Sequence, residues 1–111
     1  MVRINDTTIT ITRGDTLEVL VELFQPDGVP YTIQPGDTVR FALKQNYSDR
    51  EPLLLKVIPH DTMCLRLEST ETKLLRAGGV PYVYDIEITM ADGTVDTFID
   101  RAKFIVTEEV D

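Results

Sequence analysis

Gly79-Val80-Pro81-Tyr82-Val83-Tyr84-Asp85-Ile86-Glu87-Ile88-Thr89-Met90, then Ala91-Asp92-Gly93-Thr94, then Val95-Asp96-Thr97-Phe98-Ile99-Asp100-Arg101-Ala102-Lys103-Phe104-Ile105-Val106, is the stretch that decides the fold. Tyr82, Tyr84, Ile86, Ile88 and Met90 recur every second residue, the spacing of one face of a β-strand. Val95, Thr97 and Ile99 run back. The cluster between the two runs contains Asp-Gly, whose glycine takes the positive φ that a tight reversal demands, so the sequence predicts a long β-hairpin. Along the return strand the apolar phase slips: Val95 and Ile99 are odd, whereas Ala102, Phe104 and Val106 are even, with Phe98 blurring the point of change. One extra residue near Asp100-Arg101 restores the inward face, which predicts a β-bulge or tight bend there.

Working outward, the same period and the same punctuation repeat. Thr7 to Thr12 alternates Ile9 and Ile11 with threonines, and Arg13-Gly14-Asp15 reads as a tight turn needing its glycine rather than as an adhesion tripeptide. Leu17 to Phe24 places Leu17, Val19, Val21 and Leu23 on one face. Glu18 and Glu22 share the other with Leu20 and Phe24, a half-wet side open to a loop or a partner. Gln25-Pro26-Asp27-Gly28 and Pro35-Gly36-Asp37 are turns, and Pro30 demotes Val29 to Ile33 to an edge or connecting segment. Thr38 to Gln45 buries Val39, Phe41 and Leu43. Asn46 to Pro52 is a polar loop carrying Tyr47. Leu53 to Ile58 is apolar on both faces apart from Lys56, which predicts a strand covered on both sides.

Pro59-His60-Asp61-Thr62 turns the chain into a strand over Met63 to Glu68, with Met63, Leu65 and Leu67 buried and Arg66 exposed. From Ser69 to Ala77 the period breaks. Ser69 or Thr70 as cap, Glu71 at the dipole's positive end, Leu74 and Leu75 as an apolar side and Gly78-Gly79 as a stop predict one or two helical turns. Glu108 to Asp111 reads as a solvated tail. Seven or eight short strands with turn signals every eight to twelve residues and one short helical turn define the expected class: an all-β, immunoglobulin-like β-sandwich, one domain over residues 1–111, with a barrel as the rival.

Composition restricts what such a domain does. At 111 residues and 12.6 kDa the chain buries roughly 65% of its unfolded surface, enough for a core without staples. The single Cys64 has no partner for an intrachain disulfide. No apolar run approaches the ~18 residues of a membrane span, and Met1 to Asp6 lacks the hydrophobic segment of a signal peptide. A soluble chain without an export address is expected. Nineteen acidic against eleven basic residues give a net charge of −8, and the bases are scattered, so no nucleic-acid partner is expected.

The chemistry-bearing residues do not form a constellation. His60 is the only histidine and stands in a turn, and Cys64 reads as a small hydrophobe on a strand. Asp85 and Glu87 lie on the outward face of one strand with Asp96 expected across from them; general acid–base work needs a pocket that nothing here supplies. Those acids with Asp92 lack the Asp-x-Asp-x-Asp-Gly spacing of a calcium loop. Tyr82 and Tyr84 share a face with Ile86 and Ile88, which favours core; exposed, they would suit carbohydrate stacking. The expectation is a non-enzyme with no catalytic, metal or cofactor-binding residues and no cofactor.

The order of motifs resembles a family. Gly14-Asp15-Thr16 before an alternating strand, Pro26-Asp27-Gly28-Val29-Pro30-Tyr31, Asp37-Thr38-Val39-Arg40-Phe41-Ala42-Leu43-Lys44, then Thr72, Leu75 and Gly79, and Tyr82-Val83-Tyr84-Asp85-Ile86-Glu87-Ile88 before Asp92-Gly93-Thr94 resemble the N-terminal domain of phage baseplate upper proteins, over residues 14 to 106. The resemblance implies a β-sandwich that mounts structural parts on a phage or prophage tail or baseplate, with other phage structural proteins as partners, no membrane, and a place in the virion or, during assembly, the bacterial cytoplasm. Those proteins continue into further domains, so for this chain a small standalone tail component or adaptor is expected. Open edge strands make a homo-oligomer a further expectation. The alternative is a carbohydrate- or ligand-binding β-sandwich module, which requires an exposed aromatic strip.

Overall fold

Seven of the eight strands in the computed structural model, which describes residues 2–3, 8–25, 27–79 and 81–108, lie in the predicted period-2 runs; the first, Val2–Arg3, is not among the expected strands, and one helical turn falls where the period breaks. The strands are β1 (Val2–Arg3), β2 (Ile9–Thr12), β3 (Leu17–Leu20), β4 (Thr38–Lys44), β5 (Leu54–Ile58), β6 (Cys64–Leu67), β7 (Tyr82–Thr89) and β8 (Val95–Thr107), with α1 (Ser69–Thr72) between β6 and β7. They form a five-stranded sheet in the order β2-β8-β7-β4-β5 and a three-stranded sheet in the order β1-β3-β6. β3 and β6 thus lie in one layer and β4, β7 and β8 in the other, the division of an immunoglobulin-like sandwich. The two N-terminal strands split between the layers, β1 running parallel to β3 and β2 parallel to β8.

One cluster of side chains fills the space between the sheets. Val39, Phe41, Leu43, Ile58, Tyr84, Ile86, Ile88 and Phe104 from the larger sheet and Val19, Leu65 and Leu67 from the smaller are at most 1% exposed. Phe41, Tyr84 and Phe104, from three neighbouring strands, pack with ring centroids 5.4, 6.2 and 6.4 Å apart, within the range where tilted and edge-on aromatic pairs attract.

The predicted hairpin is present. Gly93 takes φ +90°, the Gly93 N–H donates to the Met90 carbonyl at 2.9 Å, and the Met90 N–H donates to the Thr94 carbonyl at 2.8 Å. The Asp92 carboxylate accepts from the Thr94 N–H at 2.9 Å, and that bond holds its pKa below the ordinary aspartate value. The bulge stands where the phase slip put it. Tyr84 pairs with Ala102 and Ile86 with Ile99, so Asp85 faces two residues, Asp100 and Arg101. Arg101 adopts φ +55°, and its N–H donates to the Asp85 carboxylate at 2.8 Å in place of a ladder bond.

Four expectations about the strands and the helix need correction, and a fifth, the place of Asp96, is taken up with the candidate residues below. A second one-residue shift falls at Phe98, because Ile86 pairs with Ile99 but Glu87 already pairs with Thr97; Val95 therefore turns outward and is 54% exposed rather than buried. The strand expected over Leu17 to Phe24 is β3 and ends at Leu20, after which the chain holds to its neighbours by single bonds such as Val21 N–H to the Met63 carbonyl at 2.8 Å. The helix is a single turn whose N-cap is Glu68, not Ser69 or Thr70: the Glu68 side chain meets the Glu71 backbone and the Glu71 side chain returns to Glu68, a reciprocal capping box. Leu75 is buried, but Leu74 is 78% exposed. The fourth correction, to the fifth strand, belongs to the surface described below. Of the expected tail, residues 109–111 lie outside the described residues, as does Pro26 of its turn.

The Arg13-Gly14-Asp15 turn is fastened to α1. The Arg13 guanidinium donates to the carbonyls of Leu75 at 3.0 Å and Lys73 at 2.7 Å. Thr72, fully buried, accepts from the Gly14 N–H at 3.1 Å and donates to the Asp15 carbonyl at 2.8 Å. Thr72→Val keeps the shape but strands both backbone groups, so it is expected to cost about 1–3 kcal/mol, read as a lower urea midpoint at unchanged slope.

Candidate interaction surface

β5 is an edge. Its one partner is β4, and among the described residues no strand pairs with its other side. The pleat sends Leu54, Lys56 and Ile58 toward the sandwich interior and Leu53, Leu55 and Val57 away from it. Those three are 51%, 57% and 61% exposed. The expectation of a strand covered on both faces is therefore wrong: the run is apolar on both sides, but a single layer lies beneath it. The inward Lys56 is held by Glu71, its ammonium 3.0 and 3.1 Å from the two carboxylate oxygens. Glu71 sits below the ordinary carboxylate pKa, first because it accepts the Glu68 backbone N–H and then because of Lys56. Its contribution is present above its unfolded value and fades as pH falls through the lowered folded one.

Edge strands in soluble proteins are usually guarded by outward charges, prolines or bulges, because a row of unpaired backbone groups templates further strands. The outer side of this edge carries three aliphatic side chains, Leu55 and Val57 on β5 and Leu53 just before it, and the one lysine of β5 is turned inward and paired with Glu71. Beside it, in the loop between β4 and β5, Tyr47 is 56% exposed. The Arg101 guanidinium lies over its ring, 4.6 Å from the centroid. Arg101 stands at the bulge of β8, so this contact joins the β4–β5 loop to the far side of the same sheet.

The smaller sheet presents a contrasting surface. Arg66 on β6 pairs with Glu18 on β3 and with Glu68. The bonded Arg66 holds Glu68 below the usual carboxylate pKa.

The other candidate residues are dispersed. His60 is exposed in its turn, Cys64 is a half-buried free thiol, and among the described residues no group of three histidine, cysteine or acidic side chains converges to hold a metal. Asp85 and Glu87 share the outer face of β7, but Asp96 is not across from them: it pairs with Ile88, on the opposite side of the sheet, because the Phe98 shift moves the register. Tyr82 and Tyr84 are 8% and 1% exposed, and the Tyr82 hydroxyl accepts from the Arg76 N–H at 2.8 Å, so these rings offer no stacking strip. Among the described residues no helix is long and apolar enough to cross a membrane.

A second feature lies at the hairpin-tip end, where Phe24 and Pro30 form an isolated bridge. Phe24, Asp96, Thr97 and Phe98 line a hollow of about 320 Å³. It meets, at Phe24, a groove of about 400 Å³ whose wall includes Glu22, Tyr31, Ile33 and Met63. Tyr31 packs edge-on against Phe98 at 5.3 Å, and its hydroxyl donates to the Asp37 carboxylate at 2.8 Å. That bond, with burial and the nearby charges of Asp37 and Asp96, raises the Tyr31 pKa above the ordinary phenol value. A group raised in this way stabilises below its unfolded pKa and ceases to as pH rises through the folded one. In an absorbance titration Tyr31 is expected to ionise above the ordinary phenol value, and Asp37→Asn is expected to bring it down.

No protein-family model matches the chain, and neither does any curated protein.

Proposed function

We propose that this chain is a non-enzymatic structural and protein–protein interaction module of a phage or prophage particle, associated with the tail or baseplate, which joins its neighbours through the β5 edge. The observation that carries the reading is the outward row Leu55 and Val57 on β5, with Leu53 just before it, beside the open side of that strand. A partner strand laid along β5 satisfies the free backbone groups and covers the aliphatic row in the same step, the mode of strand addition. The family resemblance in the order of turns and strands supplies the particle as the setting. Other structural proteins of that particle, or further copies of this chain, are the partners that this chemistry suits.

Particles purified after induction of the bacterium that encodes the chain test the reading. Quantitative mass spectrometry is expected to find the protein there at the copy number of a structural component. Its presence in the lysate but absence from the particles would refute the assignment.

A further inference from the structure

We propose that the hollow between Phe24 and Phe98 binds a compact organic cation, an alkylammonium of about the size of choline. Its volume, about 320 Å³, is at the small end of ligand sites, which run from roughly 300 to 1,000 Å³, so it suits a small molecule and not a protein segment. Two aromatic side chains bound it, Phe24, 46% exposed, and Phe98; Tyr31, which lines the adjoining groove, is in edge contact with Phe98. An aromatic face attracts a cation through its quadrupole, and quaternary ammonium groups are recognised by such rings.

Charge sorts the ligand. Asp96 is an exposed carboxylate on the wall of the hollow, whose described lining residues include no lysine, arginine or histidine. Tyr31, tied to Asp37 and close enough to Asp96 to feel it, stays a neutral ring at physiological pH. An anion is repelled here, and a neutral apolar molecule gains only the rings. The second register shift on β8, at Phe98, makes the arrangement: it undoes the change of face made by the Asp100-Arg101 bulge and brings Asp96 into line with Ile88 instead of the Asp85 and Glu87 face, on the side where Phe98 meets Tyr31. This inference does not depend on the β5 edge or on a phage setting.

The test is an amide-resonance titration of the intact chain with choline chloride, against its uncharged isostere 3,3-dimethyl-1-butanol and sodium chloride at matched ionic strength. Choline is expected to shift the amides of Phe24, Asp96, Thr97 and Phe98 with a dissociation constant in the millimolar range, the isostere at least ~3-fold more weakly. Asp96→Asn is expected to weaken choline ~3- to 5-fold and leave the isostere unchanged, and Phe24→Ala to weaken both. Both side chains are on the surface, so these variants test the site and not the fold. Equal affinity for the two ligands, shifts that sodium chloride reproduces, or shifts centred elsewhere would overturn the proposal.

Discussion

Phe104→Ala is expected to remove about 3–5 kcal/mol of stability. Phe104 is fully buried and touches the rings of Phe41 and Tyr84, so truncation loses both the transfer free energy of the ring and the contacts around the void it leaves. Domains of this size hold roughly 5–15 kcal/mol in all. The melting temperature is expected to fall by roughly 15–25 °C, or the variant to be unfolded as expressed. Leu74→Ala is the control: Leu74 is 78% exposed, and a change within about 0.5 kcal/mol is expected. A Phe104→Ala variant that melted within a few degrees of the parent would mean that the three rings do not form the centre of the core.

Gly36→Ala is the second large effect, and it separates two causes. Gly36 has φ +89°, and a Cβ built there falls 2.6 Å from the Ala91 Cβ at the hairpin tip. The left-handed conformation costs a non-glycine residue about 1–2 kcal/mol, and the forced contact adds about 1–3 kcal/mol as the hairpin tip shifts. Gly28→Ala carries only the first cost, since Gly28 has φ +86° with nothing within 4 Å. The two substitutions are therefore expected to differ by the packing cost, and Ala91→Gly is expected to restore that part alone when combined with Gly36→Ala. Equal losses at Gly28 and Gly36 would show that the turn before β4 does not approach the hairpin tip.

The hairpin, its turn and the Asp100-Arg101 bulge were legible because parity is a local property: Ala102, Phe104 and Val106 cannot share a face with Ile99 unless a residue is added. The burial of Tyr82 and Tyr84 followed from the same alternation. What escaped was set by neighbours distant in sequence. Leu53 to Ile58 is apolar on both sides, and that pattern alone does not say whether one layer or two covers it; the outcome depends on the strand order, in which β5 comes last. The second shift was masked because two one-residue shifts cancel in parity, leaving Phe98 as the only sign of it. Asp96 was misplaced for that reason, and with it the aromatic hollow went unseen. Glu68 was passed over as an N-cap because serine and threonine follow it directly and are the commoner cap residues, whereas Glu68 meets α1 through its exchange with Glu71.

The claim on which the functional reading depends is that the outer row of β5 is the docking strip. Leu55 is 57% exposed at its centre, so Leu55→Lys is expected to leave the melting temperature within a few degrees of the parent while placing a charge in the middle of the aliphatic row that a docked partner covers. The decisive measurement is the amount of Leu55→Lys protein incorporated into particles when it replaces the parent chain at equal expression. Incorporation reduced at least ~10-fold, with the isolated protein still folded, is the predicted result; incorporation at the parental level would show that the particle is joined through some other surface.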